Sequence, residues 1–261
     1  MIYILGGGGF VGSAITRYCL ARGLEHRVIT RLNYDEHCGT GCDVLVDASG
    51  NSKKYLADRD PLADFDQSVR LKARALHAFE ARHYVLISTG DVYNDPSCPA
   101  TSDETVAIDI ARLSRYGQHK FLAEQLVIAR HPNWLIVRAG GFVGSGLRKN
   151  AIFDMLTGAR LRLSPASALQ FLHTDDAAEI VLGLALAGVS GEIVNLGGRG
   201  TVRLDDLRCE LGAQTPFDAA APTVRYELSL GKLAALAPHP IPNSWETVVR
   251  FAADWATRAA S

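Results

Sequence analysis

Gly6, Gly9 and Gly12 constrain this chain most. They follow an apolar run, Tyr3 to Leu5, and lead into an apolar-periodic segment, Val11 to Leu20. That order reads strand, tight turn, helix. Glycine lets the backbone turn sharply and approach a pyrophosphate, which then faces the free N–H groups of the helix start. A glycine pattern alone is weak evidence; the strand before it and the helix after it give it meaning.

The rest of the chain keeps the rhythm. Arg27 to Arg31 and Asp43 to Ala48 read as strands. Asp60 to Ala81 reads as a helix opened by a proline, with Val69, Ala73, Leu76 and Phe79 on one side. Tyr84 to Ser88 is a β-branched strand, Gly90 to Asp109 a polar loop, Ile110 to Arg130 a long helix and Trp134 to Arg138 a further strand. Strands alternating with helices predict a doubly wound α/β fold with a parallel sheet. After Ala139 the pattern loosens into helices at Asn150 to Leu156, Asp175 to Ala187 and Trp245 to Ala259, and strands at Leu169 to His173 and Glu192 to Leu196. The expected layout is a nucleotide-binding core over residues 1–140. A small substrate lobe over 141–261 interleaves with the last core strands and helices.

Composition excludes several classes. Lys and Arg number 27 against 28 Asp and Glu, so the chain lacks the basic excess of a nucleic-acid binder. Hydrophobic residues at 48% exclude a disordered chain. The longest strongly apolar stretch, Ile180 to Val189, is half a membrane span. The start MIYILGGGGF has no basic lead, and the five cysteines are odd in number and scattered, so reduced thiols and a cytoplasmic location are expected. Cys38 and Cys42 beside His37 lack a nearby fourth ligand, so no metal site is read there.

The acid that would hold a ribose 2′-hydroxyl is missing from the second strand's tip, where Thr30 and Arg31 stand. Arg31 suits a 2′-phosphate, which favours NADP over the alternative NAD. Tyr116 and Lys120 sit four apart and project from one helix face. Bringing a phenol from ~10 to about 7 takes roughly 4 kcal/mol of differential interaction, part of which a neighbouring ammonium supplies. Thr89 ends the strand YVLIST, where such sheets face the ligand crevice.

The segments GGGGFVG, ISTGDVY, YGQHK and FLHTDDAA, in this order, resemble the extended short-chain dehydrogenase/reductase family, in its NAD-dependent epimerase/dehydratase branch. RAGGFVGSGL and NLGG resemble later family stretches, so the likeness spans nearly the whole chain. It implies a Rossmann-type fold with Gly6, Gly9, Phe10, Val11 and Gly12 as the pyrophosphate turn. Thr89 matches the residue that bonds the reacting oxygen, Tyr116 the acid/base and Lys120 its ribose-binding partner. A homodimer built on the two long helices is implied as well.

The chain departs from the family pattern. Eleven residues separate Arg31 from Asp43, where the family usually places a helix, an edge strand and another helix. Gly141 stands where the family often has Asn, and ALQFLH lacks the Arg often found before Phe171. Arg148, Lys149 and Arg162 are the remaining candidates for a diphosphate grip. After Thr89 come Gly90 and Asp91, where dehydratases of this branch place an Asp–Glu pair. Elimination therefore lacks one of its two acids, and Asp91 is left as a substrate-side candidate. The leading expectation is an NAD(P)-dependent keto-sugar reductase acting on a nucleotide-activated sugar. The alternatives are a nucleotide-sugar epimerase with tightly bound NAD, and a non-catalytic NADP-binding sensor or scaffold.

Overall fold

A computed structural model describes residues 1–237 and 239–259. Its strands are β1 (Ile2–Leu5), β2 (His26–Ile29), β3 (Thr40–Asp47), β4 (Phe79–Thr89), β5 (Trp134–Ala139), β6 (Gly141–Val143), β7 (Ala168–Leu169), β8 (Phe171–His173), β9 (Glu192–Leu196), β10 (Val202–Arg203) and β11 (Arg225–Tyr226). Its helices are α1 (Phe10–Ala21), α2 (Lys54–Arg59), α3 (Pro61–Phe65), α4 (Leu71–Ala78), α5 (Arg115–Arg130), α6 (Ala151–Thr157), α7 (Thr174–Leu186), α8 (Leu204–Glu210), α9 (Gly231–Leu236) and α10 (Ser244–Ala259).

Six parallel strands form the central sheet in the order β2-β1-β3-β4-β5-β9. The fold is therefore the expected Rossmann-type α/β architecture. Both faces of the sheet are covered, as parallel sheets require. Ile2, Ile4, Val44, Val46 and Val85 pack against Ala14, Ile15 and Cys19 of α1 and against α7. The alternate residues Tyr3, Leu5, Leu45, Tyr84 and Leu86 pack on the other face with Ala75 of α4 and Val127 of α5. The winding reverses between β1 and β3, and ligands of open α/β sheets bind outside the strand ends at that point. A third core joins Val143, Ile152, Phe171, Leu204, Val248 and Phe251 beneath the later segments.

The shortened stretch between Ile29 and Thr40 holds a single 3-10 turn, Asp35–His37, and leaves β2 at the sheet edge. Asn33 closes the turn after β2, accepting from the Thr30 N–H at 2.7 Å and donating to the Val28 carbonyl at 3.0 Å.

Several expected boundaries move. The helix expected over 60–81 is interrupted by a π turn, Asp66–Arg70, and stops at Ala78, because Phe79 to Ala81 join β4 and pair with β3. The helix expected from Ile110 starts at Arg115, because Ser114 caps it by accepting the Gly117 N–H at 3.2 Å. The strand expected over 169–173 splits at Gln170: β7 pairs with β10 and β11, and β8 pairs with β6. Among the described residues, no helix is long and apolar enough to cross a membrane, and no cluster of His, Cys, Asp or Glu could hold a metal ion.

Candidate active site

The glycine turn forms a cradle at the switch point. Gly6 adopts φ +75°, and a β-carbon there would stand 2.9 Å from Ser49 Cα. A β-carbon on Gly12 would collide with the Gly6 carbonyl oxygen, so the start of α1 packs directly on the turn. Gly9 caps α1 without any side-chain acceptor, and Gly8 faces open space. The first-turn N–H groups, those of Phe10, Val11 and Gly12 among them, therefore lack intrahelical partners and suit an anion. This cradle fits the diphosphate of NAD(P).

Beside it, the end of β4 meets the first two turns of α5. Thr89 Oγ1 donates to Asp91 Oδ2 at 3.1 Å and accepts the Asp91 N–H at 3.2 Å, capping a 3-10 turn over Gly90–Val92. A β-carbon on Gly117 would stand 2.5 Å from the Asp91 carbonyl oxygen, so glycine at this position lets α5 close on that turn. Tyr116 is thereby brought to the crevice. Its hydroxyl donates to the Asn51 carbonyl at 3.5 Å, a long contact. Lys120 Nζ lies 5.5 Å from the centre of the Tyr116 ring, and both side chains are buried.

A polar floor supports this group, and the sequence reading missed it. Lys72 Nζ contacts Asp47 Oδ1 at 2.6 Å and Ser49 Oγ and the Ser49 carbonyl at 2.8 Å, while Tyr84 donates to Asp47 Oδ2 at 2.7 Å. Burial raises the Asp47 carboxyl, but the Lys72 ammonium and its hydrogen-bond donors outweigh that and hold it below its ordinary range. Asp64 accepts from Asn51 Nδ2 at 2.6 Å and from Ser68 Oγ at 3.2 Å, and bonds His119 Nδ1 at 2.6 Å. This ties the Asn51 loop to the helix residue just before Lys120. The one available signal was the polar Asp47 ending an otherwise apolar strand, DVLVD.

The floor sets the electrostatics. Burial, followed by repulsion from the Lys72 ammonium, brings Lys120 down to about 8. Burial, with the Asp91 and Asp64 carboxylates, pushes the Tyr116 phenol far above its ordinary value, so the hydroxyl is held as a proton donor.

The other candidates are more dispersed. Arg31 is exposed at the tip of β2. Arg148 and Arg162 are exposed, and Arg162 lies near Asp154 of α6. Lys149 reaches across to donate to the Ser52 carbonyl, with Ser52 Oγ 3.4 Å away. Burial and then the ammoniums of Lys53 and Lys54 lower Lys149. Lys54 in turn pairs with Asp91 at 2.6 Å. Gly141 leaves no room for a side chain, since a β-carbon would stand 2.7 Å from the Gln170 carbonyl oxygen. The Gln170 side chain is committed to the backbone of Leu228, accepting at 3.2 Å and donating at 3.3 Å. One more residue enters the site unannounced by any motif: Tyr226 presses its hydroxyl against Gly90.

Solved structures share the whole fold. The chain is similar to a UDP-galactose 4-epimerase at 22% identity and TM-score 0.79, covering 98% of this chain and 99% of that one. It is similar to MoeE5 in complex with UDP-glucose and NAD at 15% identity and TM-score 0.85, covering 100% and 99%. It is also similar to RMD from Pseudomonas aeruginosa complexed with NADPH at 19% identity and TM-score 0.72, covering 98% and 99%. No curated protein sequence matches it significantly. The model of the NAD dependent epimerase/dehydratase family matches residues 2–197, a stretch that contains the cradle, Thr89, Tyr116 and Lys120. On that match the chain belongs to the NAD dependent epimerase/dehydratase family.

Proposed function

We propose that the protein is an NADP-dependent reductase that acts on the ketone of a nucleotide-activated sugar. The observation that carries this reading is the contrast between the two ends of the cofactor site. The proposed catalytic end draws on Thr89 at the end of β4 and on Tyr116 and Lys120 in the first turns of α5, with Lys120 Nζ 5.5 Å from the centre of the Tyr116 ring. At the adenine end β2 is the sheet edge, and one 3-10 turn replaces a covering layer. A cofactor held loosely at the adenine end exchanges between turnovers, as a reductase needs. An epimerase regenerates its NAD in place and gains from holding it. Arg31 at the β2 tip supports NADP, because a guanidinium pairs well with a 2′-phosphate. The complete Thr–Tyr–Lys group favours an enzyme over a sensor or scaffold.

When bound, the cofactor supplies the hydride. Thr89 orients the substrate oxygen through a hydrogen bond. Tyr116 donates its phenolic proton to that oxygen as negative charge develops on it. The Lys120 ammonium stabilises the phenolate left behind. Lys149, Lys53 and Lys54 gather positive charge near the mouth with Asp91 as a partner carboxylate, and supply the countercharge for a diphosphate. The UDP-glucose in the MoeE5 complex and the name of the UDP-galactose 4-epimerase support a nucleotide-sugar substrate.

Epimerisation is the second reading, since the same three residues serve it, and the family's description names it. One assay separates the two. The protein is incubated with NADPH and a nucleotide-linked 4-ketosugar, and with UDP-glucose and NAD. Consumption of one NADPH per product supports the reductase. Interconversion of UDP-glucose without net cofactor change supports the epimerase.

A further inference from the structure

We propose that Asp64 and His119 are positioning residues of the catalytic centre: their pair clamps the Asn51 loop to α5 and so sets the span between the Asn51 carbonyl and the Tyr116 hydroxyl. The inference rests on the oxidoreductase reading above. It assigns a role to two residues that neither the glycine turn nor the Thr–Tyr–Lys group includes.

Asp64 lies in α3 and is fully buried. Its two oxygens serve two different elements. Oδ1 accepts from Asn51 Nδ2 at 2.6 Å, with support from Ser68 Oγ at 3.2 Å. Oδ2 faces His119 Nδ1 of α5 at 2.6 Å. An ionised carboxylate can only accept, so Nδ1 carries the hydrogen in this pair. Phe65, next in α3, meets the His119 ring edge-on with ring centres 5.4 Å apart, which fixes the imidazole from a second side. Among the described residues, His119 is the only basic side chain paired with Asp64.

The loop end is held as firmly. Asn51 Nδ2 also donates to the Lys53 carbonyl at 2.9 Å, and Asn51 Oδ1 accepts the Lys53 N–H at 2.8 Å. With its side chain tied at both ends, Asn51 holds its own carbonyl in place. That carbonyl is where the Tyr116 hydroxyl rests, at 3.5 Å. His119 follows Tyr116 by three residues and directly precedes Lys120, so the clamp grips α5 within the same turn. A contact of this length is at the weak end of hydrogen bonding. It parks the hydroxyl without binding it tightly, so a substrate oxygen can replace the carbonyl at little cost. A closer loop would compete with the substrate, and a looser one would leave the hydroxyl free to turn away.

The other end of the same loop has its own anchor. The Ser49 N–H donates to Asp47 Oδ1 at 3.0 Å, and Lys72 Nζ donates to the Ser49 carbonyl at 2.8 Å. Ser49 is the residue that packs on Gly6 of the cradle. The cofactor-facing end at Ser49 is thus fixed by the polar floor, and the tyrosine-facing end at Asn51 by Asp64. Loss of the Asp64–His119 pair is expected to disturb the proton donor and to spare the cradle. Misplacing a reacting group by about 1 Å costs about 100-fold in rate.

The test measures kcat, KM and NADPH dissociation in the full chain, with the nucleotide sugar that the unaltered enzyme converts. The variants are His119→Leu, His119→Asn and Asp64→Asn, beside Tyr116→Phe. His119→Leu removes the Nδ1 donor and is expected to lower kcat about 10- to 100-fold, with KM and NADPH dissociation within about threefold. His119→Asn restores a donor near the Nδ1 position. Asp64→Asn keeps an acceptor for Asn51 and offers an N–H to a neutral His119. Both amide variants are expected to keep kcat within about threefold of the unaltered enzyme. His119→Ala, which leaves room for water beside Asp64, carries the expectation of His119→Leu if the latter does not fold. A His119→Leu kcat within about twofold of the unaltered enzyme, with Tyr116→Phe inactive, overturns the clamp and leaves the functional reading standing. An equal loss of NADPH affinity in His119→Leu, or amide variants no better than His119→Leu, overturns it as well. A Tyr116→Phe enzyme that keeps its turnover, or an unaltered enzyme that converts no nucleotide sugar with NADPH or NAD, overturns the functional reading, and this inference with it.

Discussion

Lys72 Nζ lies 2.6 Å from Asp47 Oδ1, and both side chains are fully buried under the site that holds Lys120. The pair joins the end of β3 to α4 and acts on the charge of Lys120. Removing one member leaves an uncompensated buried charge, which costs about 3–5 kcal/mol. Lys72→Met is expected to lose that much in denaturant unfolding, and Asp47→Asn combined with Lys72→Met to recover a large part. The Asp47 carboxyl is lowered in the folded state, so its stabilising contribution is present above its unfolded value near 3.8. It is lost as pH falls through the lower folded value. Thermal melts from pH 5 to pH 2 check this, and a Lys72→Met cost under about 1 kcal/mol contradicts it.

The repulsion of Lys120 by Lys72 bears on the pH profile. Lys120 stands at about 8 in the free protein, and in the proposed mechanism its ammonium is the form that stabilises the Tyr116 phenolate. The profile of kcat/KM reports groups of the free enzyme. It is expected to be level near pH 7 and to fall about tenfold per unit above pH 8. A profile that stays level to pH 9.5 removes the charge role from Lys120.

Arg31 is exposed at the β2 tip, where the acid that would hold a ribose 2′-hydroxyl is missing. A charge-assisted bond to a phosphate contributes about 1.5–3 kcal/mol. Arg31→Ala is expected to weaken NADPH binding by about 10- to 100-fold and to leave NADH within twofold, measured by nicotinamide fluorescence. Equal losses for the two cofactors contradict the NADP assignment.

Exposed apolar side chains stand on the helices at which a homodimer was expected. Leu62 and Phe65 of α3 are 80% and 38% exposed, and Leu122 of α5 is 37% exposed. Large exposed hydrophobics mark interaction surfaces when they cluster on adjacent elements. Sedimentation at micromolar concentration is expected to give a dimer, and Leu62→Glu with Leu122→Glu a monomer. A monomeric unaltered protein rejects the dimer.

The elements legible in the sequence were those set by local pattern. The strand–glycine–helix start was visible because Gly6, Gly9 and Gly12 answer to steric demands within a dozen residues. The strand YVLIST and the spacing of Tyr116 and Lys120 were visible for the same reason. Helix ends were missed where a competing partner decides them: Phe79 prefers pairing with β3, and Ser114 intercepts the start of α5. The polar floor was hidden because Asp47 and Lys72 meet only after β3 and α4 pack, and a lysine in a helical segment reads as surface. Tyr226 was hidden most deeply, since β11 is two residues long and its close approach depends on Gly90 being bare.

The central claim is that Tyr116 delivers a proton in a cofactor-dependent hydride transfer. The most direct measurement is NADPH oxidation with a nucleotide-linked 4-ketosugar by the unaltered enzyme and by Tyr116→Phe. The account predicts one NADPH consumed per product for the unaltered enzyme. For Tyr116→Phe it predicts a loss of kcat of about a hundredfold or more with NADPH affinity within twofold. A Tyr116→Phe enzyme that keeps its turnover contradicts it.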